Sequence, residues 1–325
     1  MPRRPADLPS ALPWPVFTRA EALQAGIPPD RLRRSDLERL RRGVYARKKV
    51  SVEEVDIAAA LCRRDPKLVI VGLSAARILG YPLPLRLERW TRKTPLHVAR
   101  FGGRGRSGTT VTWHDLALTS AEVRTESRPL PTGDLASTWR VTTPARTWRD
   151  LAARLDVPAL VAVGDHLLRI PRPELEGRSA PWTTRAALTT AATGRHAQKL
   201  RAALALVRIG ADSPKETELR LAFRAAGLPE PEINRPLRDS DGIERHSPDF
   251  QWPEFFVCAE YEGSGHNDPE QVQRDIARAR AAREAGFLEI RLAKKDLTQN
   301  CAPAIQLVSR ELLSRGWRPS GGGGG

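Results

Sequence analysis

Three carboxylates and an imidazole follow two neighbouring apolar runs in PDFQWPEFFVCAEYEGSGH, residues 248–266. Asp249 belongs to the first run, Glu260 and Glu262 close the second, and His266 follows four residues later. Carboxylates that lie close together repel one another, and bringing them together costs free energy unless a positive charge lies between them. Carboxylates, waters and a substrate phosphate suit Mg²⁺, which lowers the pKa of a bound water and neutralises charge developing on a phosphodiester.

The two apolar runs are predicted to form a strand pair around Trp252-Pro253-Glu254. Because side chains alternate along a strand, Glu260 and Glu262 are expected on one face, about 6.5–7 Å apart. Val257, Ala259 and Tyr261 then occupy the other face. Hairpin pairing brings Asp249 close to Glu260, so the strand ends are the place where a cation site is expected.

A helix, a second helix and a closing strand surround this pair. SPKETELRLAFRAAGL begins with Ser213 as cap, Pro214 in the first position and Glu216 three residues after the cap. Glu218 lies in the first turn, off the apolar stripe. PEQVQRDIARARAAREAGF predicts a second helix, and FLEIRLA predicts the closing strand. The order helix, strand, strand, helix, strand predicts one α/β unit.

Residues 212–297 resemble the PD-(D/E)xK nuclease superfamily, in a branch similar to very-short-patch-repair endonucleases. The matching residues are Pro248, Asp249, Glu260, Tyr261, Glu262, Gly263, His266, Arg274, Asp275, Arg278, Arg291 and, on the first helix, Glu218. The resemblance implies a restriction-endonuclease-like αβββαβ-type core and an endonuclease that depends on Mg²⁺ or Mn²⁺.

The resemblance also implies a role for each matching residue. Asp249 and Glu260 would bind the metal, and His266 would act as general base or orient the phosphate. The catalytic set would further include Glu218 and Glu262, while Asp275, Arg278 and Arg291 would support the site. Glu262 stands where the superfamily usually has lysine and this branch usually has aspartate. Two interpretations therefore remain open, a working nuclease site and a relic of the fold without activity.

The first fifty residues predict a small basic domain. FTRAEALQAGI opens with Thr18 and has Glu21 at capping-box spacing. PPDRLRRSDLERL predicts a second short helix, and LRRGVYAR predicts a strand turn at Gly43. This is the outline of a winged helix, and the alternative is a helical cap with a solvated basic face. The residues expected to bind DNA are Arg31, Arg33, Arg34, Arg41, Arg42, Lys48 and Lys49.

FTRAEALQAGI and LERLRRGVYA resemble the N-terminal winged helix of AbiEi-type antitoxins of type IV toxin–antitoxin systems. That resemblance implies DNA binding and raises a toxin as a second partner. It continues more weakly through LSAARILGYPLP, VTTPARTWRDLA and GDHLLR. In this middle region short strands are predicted at LHVAR and TTVTWHDL and helices at PARTWRDLAARL and VPALVAVGDHLLRI. His97, His114 and His166 are interpreted as structural.

The composition and charge of the whole sequence indicate the class of protein. The 325 residues are 40% hydrophobic and 28% charged, which indicates a globular protein, and the net charge is +15. Residues 1–50 carry +7, residues 51–200 carry +9 and residues 201–325 carry −1. Such a basic surplus attracts a phosphate backbone, although a basic surface without a dedicated partner is the alternative. Three distant cysteines, and no apolar run of about 18 residues, favour a cytoplasmic protein that does not enter membranes.

These observations predict an α/β protein of several α+β domains. The segments are a winged helix at 12–50, a mixed α/β middle domain at 51–175, a helical connector at 176–211, the endonuclease-like domain at 212–316 and a Gly-rich tail at 317–325. The leading hypothesis for function is a DNA-binding protein with a metal-dependent endonuclease domain. The alternatives are a non-catalytic antitoxin-like repressor and a nuclease acting on RNA or branched repair intermediates.

Overall fold

A computed structural model describes residues 8–9, 11–103, 105–130, 135–239, 241–262 and 269–319. Its helices are α1 Arg19–Gln24, α2 Glu54–Arg64, α3 Gly72–Ile78, α4 Leu85–Glu88, α5 Pro144–Leu151, α6 Val157–Leu168, α7 Pro173–Glu176, α8 Arg185–Ala191, α9 Ala197–Leu206, α10 Pro214–Ala225, α11 Pro269–Glu284 and α12 Thr298–Ser314. Its strands are β1 Val16–Thr18, β2 Leu37–Arg41, β3 Val44–Arg47, β4 Leu68–Ile70, β5 Leu96–Arg100, β6 Val111–Trp113, β7 Val123–Pro129, β8 Ala136–Thr142, β9 Glu232–Ile233, β10 Phe250–Trp252, β11 Val257–Glu262 and β12 Leu288–Ala293. The predicted α/β class is confirmed.

The chain divides into two units, residues 1–155 with 190–196, and residues 156–189 with 197–325. In the first unit β1, β3 and β2 form an antiparallel sheet. The capping box predicted for α1 is confirmed, because Thr18 Oγ1 accepts from the Glu21 N–H and Glu21 accepts from the Thr18 N–H. Thr18 therefore ends a strand and begins a helix.

The second helix predicted after residue 28 was wrong. Only a 3₁₀ turn forms at Pro29–Arg33, and Leu37–Arg41 is a strand. Gly43, at φ 72°, reverses the chain so that β2 and β3 pair. Burial of Leu37 in a small core with Phe17 and pairing along the hairpin outweigh the helix propensity of this basic segment.

The rest of the first unit is built on a mixed sheet in the order β6-β5-β4-β8-β7. The strands predicted in LHVAR and TTVTWHDL are β5 and β6, and the helix predicted in PARTWRDLAARL is α5. Helix α2 buries Ile57, Ala58 and Leu61 in the same core as Ile70 and Val141 of this sheet. This core supports the first unit.

The second unit holds the sheet that ends in the carboxylates, in the order β12-β11-β10-β9. Strands β10 and β11 are antiparallel and β11 and β12 are parallel, with α11 as the connection between the parallel pair. Every element predicted within residues 212–297 is present, namely α10, β10, β11, α11 and β12. Strand β9 and helix α12 were not predicted. Phe250, Ala259 and Ile290 pack in one core with Leu219 of α10 and Val308 of α12. The opposite sheet face carries Cys258, which packs with Ala282 and Ala285 at the end of α11.

Helix α6, from the predicted middle region, belongs to this second unit. Asp165 of α6 forms an ion pair with Arg220 of α10 at 2.9 Å, and both side chains are 0% exposed. Asp165 also accepts from Thr217 Oγ1 at 2.8 Å and from the Arg208 N–H at 2.7 Å. The adjacent His166 is half-buried and does not take part in these bonds, and partial burial lowers its pKa to about 4.

The three cysteines, Cys62, Cys258 and Cys301, are buried and free of disulfides. Within the described ranges, none of the helices combines the length and the apolar character needed to cross a bilayer.

Candidate active site

Asp249 lies immediately before β10, and the register that pairs Phe250 with Ala259 brings it beside the end of β11. Its Oδ2 accepts from the Tyr261 N–H at 2.7 Å. Burial, and then the charges of Glu216 and Glu260, raise the pKa of Asp249 from 3.8 to about 7, while Tyr261 and Arg278 oppose the rise. The predicted closeness of Asp249 and Glu260 is therefore present, and it carries an excess of buried negative charge.

The third carboxylate near Asp249 is Glu216 and not Glu218. Glu216 of α10 is 5% exposed, and burial raises its pKa. Its Oε2 accepts from the Asp212 N–H at 2.7 Å and from Asn234 Nδ2 at 2.8 Å. Glu218 is exposed and pairs with Lys215 at 2.6 Å. The role expected of Glu218 stays a prediction, while Glu216 points towards Asp249 because it lies on the same helix face as Leu219 and Phe223.

Glu260 contacts a histidine that the sequence analysis missed. The ring Nε2 of His246 hydrogen-bonds to Glu260 Oε1. Arg278 Nη1 of α11 lies 3.7 Å from Glu260 Oε2. His246 is held by the backbone, because the Leu237 N–H donates to its carbonyl at 2.7 Å. No periodic pattern marks residues 238–247, so this non-local contact had no signal in the sequence.

Glu262 does not belong to the cluster of Asp249, Glu216 and Glu260. It is 48% exposed and forms an ion pair with Arg291 Nη1 at 2.8 Å, while Arg291 Nε lies 3.2 Å from Glu289. The position that carries lysine in the nuclease pattern is therefore occupied by an acid that is neutralised by Arg291. His266 and the side chain of Asp275 lie outside the described part of the chain.

The basic residues predicted to bind DNA divide into two groups. Exposed side chains belong to Arg33, Arg34, Arg42, Lys48 and Lys49. Arg31 makes two bonds to Asp36, at 2.8 and 2.6 Å, and Arg41 is only 5% exposed. These two side chains are therefore less exposed than the other five, and their contact with DNA stays a prediction.

The ends of β10 and β11 form a candidate cation site. No group of three or more His, Cys, Asp or Glu side chains is arranged to hold a metal ion among the described residues. Mg²⁺ needs fewer protein ligands, since it keeps several waters and binds through one or two carboxylates. Asp249 and Glu260 supply those two, and the raised pKa of Asp249 shows that a positive charge would be favoured there.

Stability without metal should depend on pH through Asp249. The pKa of Asp249 is higher in the folded chain than its ordinary value of 3.8. The folded state therefore binds the proton more tightly, and the stability that this gives is lost as the pH rises towards 7. We expect Asp249→Asn in EDTA to raise the free energy of unfolding at pH 8 by about 1–3 kcal/mol, and by much less at pH 5. Urea unfolding at both pH values measures this.

Asp241→Asn is the matched control, because Asp241 is exposed in the same unit. It should leave the free energy of unfolding unchanged at both pH values. A stabilisation by Asp249→Asn that is equal at pH 5 and pH 8 would contradict the assigned electrostatics.

No family model matches the chain. Two proteins of Mycobacterium tuberculosis, one from each of two strains, are similar to it: "Uncharacterized protein MT2308" and "Uncharacterized protein Rv2248". Each is 29% identical over 175 residues, which is 53% of this chain. The match spans 61% of the length of these relatives, and their names assign no activity to them.

Proposed function

We propose that this protein binds DNA through its basic first unit and hydrolyses phosphodiester bonds at the carboxylate cluster of its second unit. The observation that carries the proposal is Asp249, which is half-buried, lies beside Glu216 and Glu260 and has a pKa raised to about 7. Structural carboxylates are normally neutralised by a cationic neighbour. Within the described ranges Asp249 forms no ion pair, and this favours a site that receives a cation with its substrate.

Asp249 and Glu260 would hold Mg²⁺ or Mn²⁺, which when bound activates water and offsets charge on the phosphate. His246 fixes the orientation of Glu260 by its ring hydrogen bond. Arg278, 3.7 Å from the same carboxylate, limits the repulsion between Glu260 and Asp249. The resemblance of residues 212–297 to PD-(D/E)xK nucleases supports this assignment.

Supercoiled plasmid incubated with the full chain tests the proposal. We expect nicked and linear DNA to accumulate with Mg²⁺ or Mn²⁺ and to be absent with EDTA. A second measurement does not depend on cleavage: Mg²⁺ should raise the melting temperature of the wild type at pH 8 and leave that of Asp249→Asn unchanged. Intact plasmid under both metals, together with no effect of metal on melting, would overturn the nuclease proposal.

The exposed basic side chains of the first unit would hold the backbone of the duplex. Replacing Arg33, Arg34, Lys48 or Lys49 by alanine should weaken DNA binding for all sequences alike. Each contact that is lost should reduce the slope of log affinity against log salt by about 1, because fewer counterions are released. Fluorescence anisotropy with a labelled duplex at several salt concentrations measures both effects.

Arg310→Ala is the control for these variants, because Arg310 is exposed on α12 of the second unit. It should leave the salt slope unchanged. A slope that stays constant in all four first-unit variants would exclude this surface as the DNA contact.

A second candidate function is a non-catalytic regulator that binds its own promoter, as the resemblance to AbiEi-type antitoxins implies. It is favoured by the pairing of Glu262 with Arg291 where the nuclease pattern has lysine. This function predicts sequence-selective DNA binding that needs no metal and is unaffected by Asp249→Asn. It also predicts plasmid that stays intact in the cleavage assay.

A further inference from the structure

A cavity lined by arginines lies at the hairpin of the first unit. Its volume is about 520 Å³, and Tyr45, Leu61 and Val111 provide part of its wall. The charged residues that line it are Arg19, Arg39, Arg41, Arg42 and Arg64. Among the described residues that line this cavity none is acidic. Five positive charges without a counter-charge in the lining favour an anionic ligand.

Arg41 lines the cavity and has hydrogen-bond donors for which the described residues provide no acceptor. It is 5% exposed, and its Nη2 donates to the Thr94 carbonyl at 3.0 Å. Its Nε and Nη1 are buried and have no hydrogen-bond partner among the described residues. A buried charged donor that is left unsatisfied destabilises the folded chain, so a ligand that accepts these hydrogen bonds is favoured.

The nearby carboxylate does not satisfy Arg41. The charge of Glu54 raises the pKa of Arg41, against a larger lowering by burial. However, Glu54 accepts from Arg77 Nε and Nη2, each at 2.7 Å, and from Ser74. The Glu54 carboxylate is therefore committed to those partners, and Arg41 Nε and Nη1 have no acceptor among the described residues.

The backbone explains how arginines come to line one cavity. The pairing of β2 with β3 shifts register between Arg39 and Arg41, and a bulge of this kind re-aims a side chain. Arg64, at the end of α2, reaches the same turn, because its Nη1 donates to the Arg42 carbonyl at 3.4 Å. The exposed Arg19, Arg42 and Arg64 thus lie at the cavity together with the buried Arg41.

We propose that this cavity binds the phosphate groups of a nucleotide. Guanidinium groups form two parallel hydrogen bonds with phosphate, and several of them match a di- or triphosphate better than a single carboxylate. A volume of about 520 Å³ lies within the range of small-molecule sites, and the lining includes one aromatic side chain, Tyr45. The nucleotide is either free or part of a nucleic-acid strand. This site does not depend on the nuclease proposal, because it lies in the other unit.

Calorimetric titration of the full chain with inorganic pyrophosphate tests the cavity, in EDTA so that no cleavage contributes. We expect the wild type to bind and Arg41→Gln to lose at least about 10-fold in affinity, since two charge-assisted bonds disappear. Because Arg41 is buried, a second variant replaces the exposed Arg19 and Arg64 by glutamine, and it should lose affinity to a similar degree. Arg86→Gln, exposed on α4 and outside the cavity, should bind as the wild type does.

No pyrophosphate binding by the wild type at low salt would overturn the proposal, and so would equal binding by the wild type and the Arg19, Arg64 variant. Repeating the titration with a saturating short DNA duplex distinguishes the source of the phosphate. Displacement of pyrophosphate by the duplex assigns the cavity to nucleic-acid backbone. Binding of both together, with tighter binding of ADP than of pyrophosphate, assigns it to a free nucleotide. Neither outcome of this titration depends on plasmid cleavage. The cavity proposal can therefore fail while the nuclease proposal holds, and the reverse.

Discussion

Replacing Asp249 by asparagine or Glu260 by glutamine is expected to abolish metal-dependent cleavage of DNA while leaving the affinity for DNA unchanged. Each variant keeps the shape of the side chain and removes one of the two charges proposed to hold the metal. Stabilisation of charge by a bound metal is worth several kcal/mol in the transition state, so we expect a loss of at least about 100-fold in rate. Nicking of supercoiled plasmid followed over time measures the rate, and anisotropy in EDTA measures the affinity.

Glu254→Gln is the matched control. Glu254 is exposed in the turn between β10 and β11, on the same hairpin as Glu260, and its loss should not change the rate. Cleavage that persists equally in Asp249→Asn and Glu260→Gln would place the activity elsewhere in the chain or in a contaminant. His246→Ala is expected to fall between the control and the carboxylate variants, because removal of an orienting partner typically costs about 10–100-fold.

Arg220→Met is expected to cause the largest loss of stability. The substitution leaves the fully buried Asp165 without its ion-pair partner, although the Thr217 hydroxyl and the Arg208 N–H still donate to it. Removing one partner of a buried pair typically costs about 3–5 kcal/mol. Urea unfolding followed by circular dichroism should show the second unit unfolding at a lower urea concentration than in the wild type.

Arg224→Met is the control for this variant, since Arg224 lies one turn later on α10, is half exposed and pairs with Glu230 at 2.7 Å. Its loss should cost less than about 1 kcal/mol. Replacing both partners, as Asp165→Leu with Arg220→Met, should recover stability because no charge is then left buried. If Arg220→Met is as mild as Arg224→Met, the pair contributes nothing to the fold.

Local patterns in the sequence were sufficient for the elements around the candidate site. Alternation predicted β11 with Glu260 and Glu262 on one face, and capping by Ser213 predicted the start of α10. These features depend on neighbours in the chain, so one sequence contains them. The hairpin register that places Asp249 beside β11 also follows from a short turn.

Contacts between segments that lie far apart in the sequence could not be predicted from these local patterns. Glu216 was interpreted as a capping residue, yet it packs inward and meets Asn234, 18 residues later. Its spacing from Leu219 and Phe223 was the available signal, because positions three and seven apart share a helix face. His246 meets Glu260 through a loop without periodicity. Arg41 was assigned to the surface because charge alone does not reveal the register shift between Arg39 and Arg41 or the burial of Arg41.

The ion pair of Asp165 with Arg220 also has a consequence for how the chain folds as it leaves the ribosome. Arg220 is synthesised 55 residues after Asp165, so α6 emerges with a carboxylate that has no partner yet. Its apolar face cannot be buried at low cost until α10 has followed. We therefore expect α6 to remain undocked until Arg220 has left the ribosome, and to become resistant to proteolysis once Ala225 has also emerged.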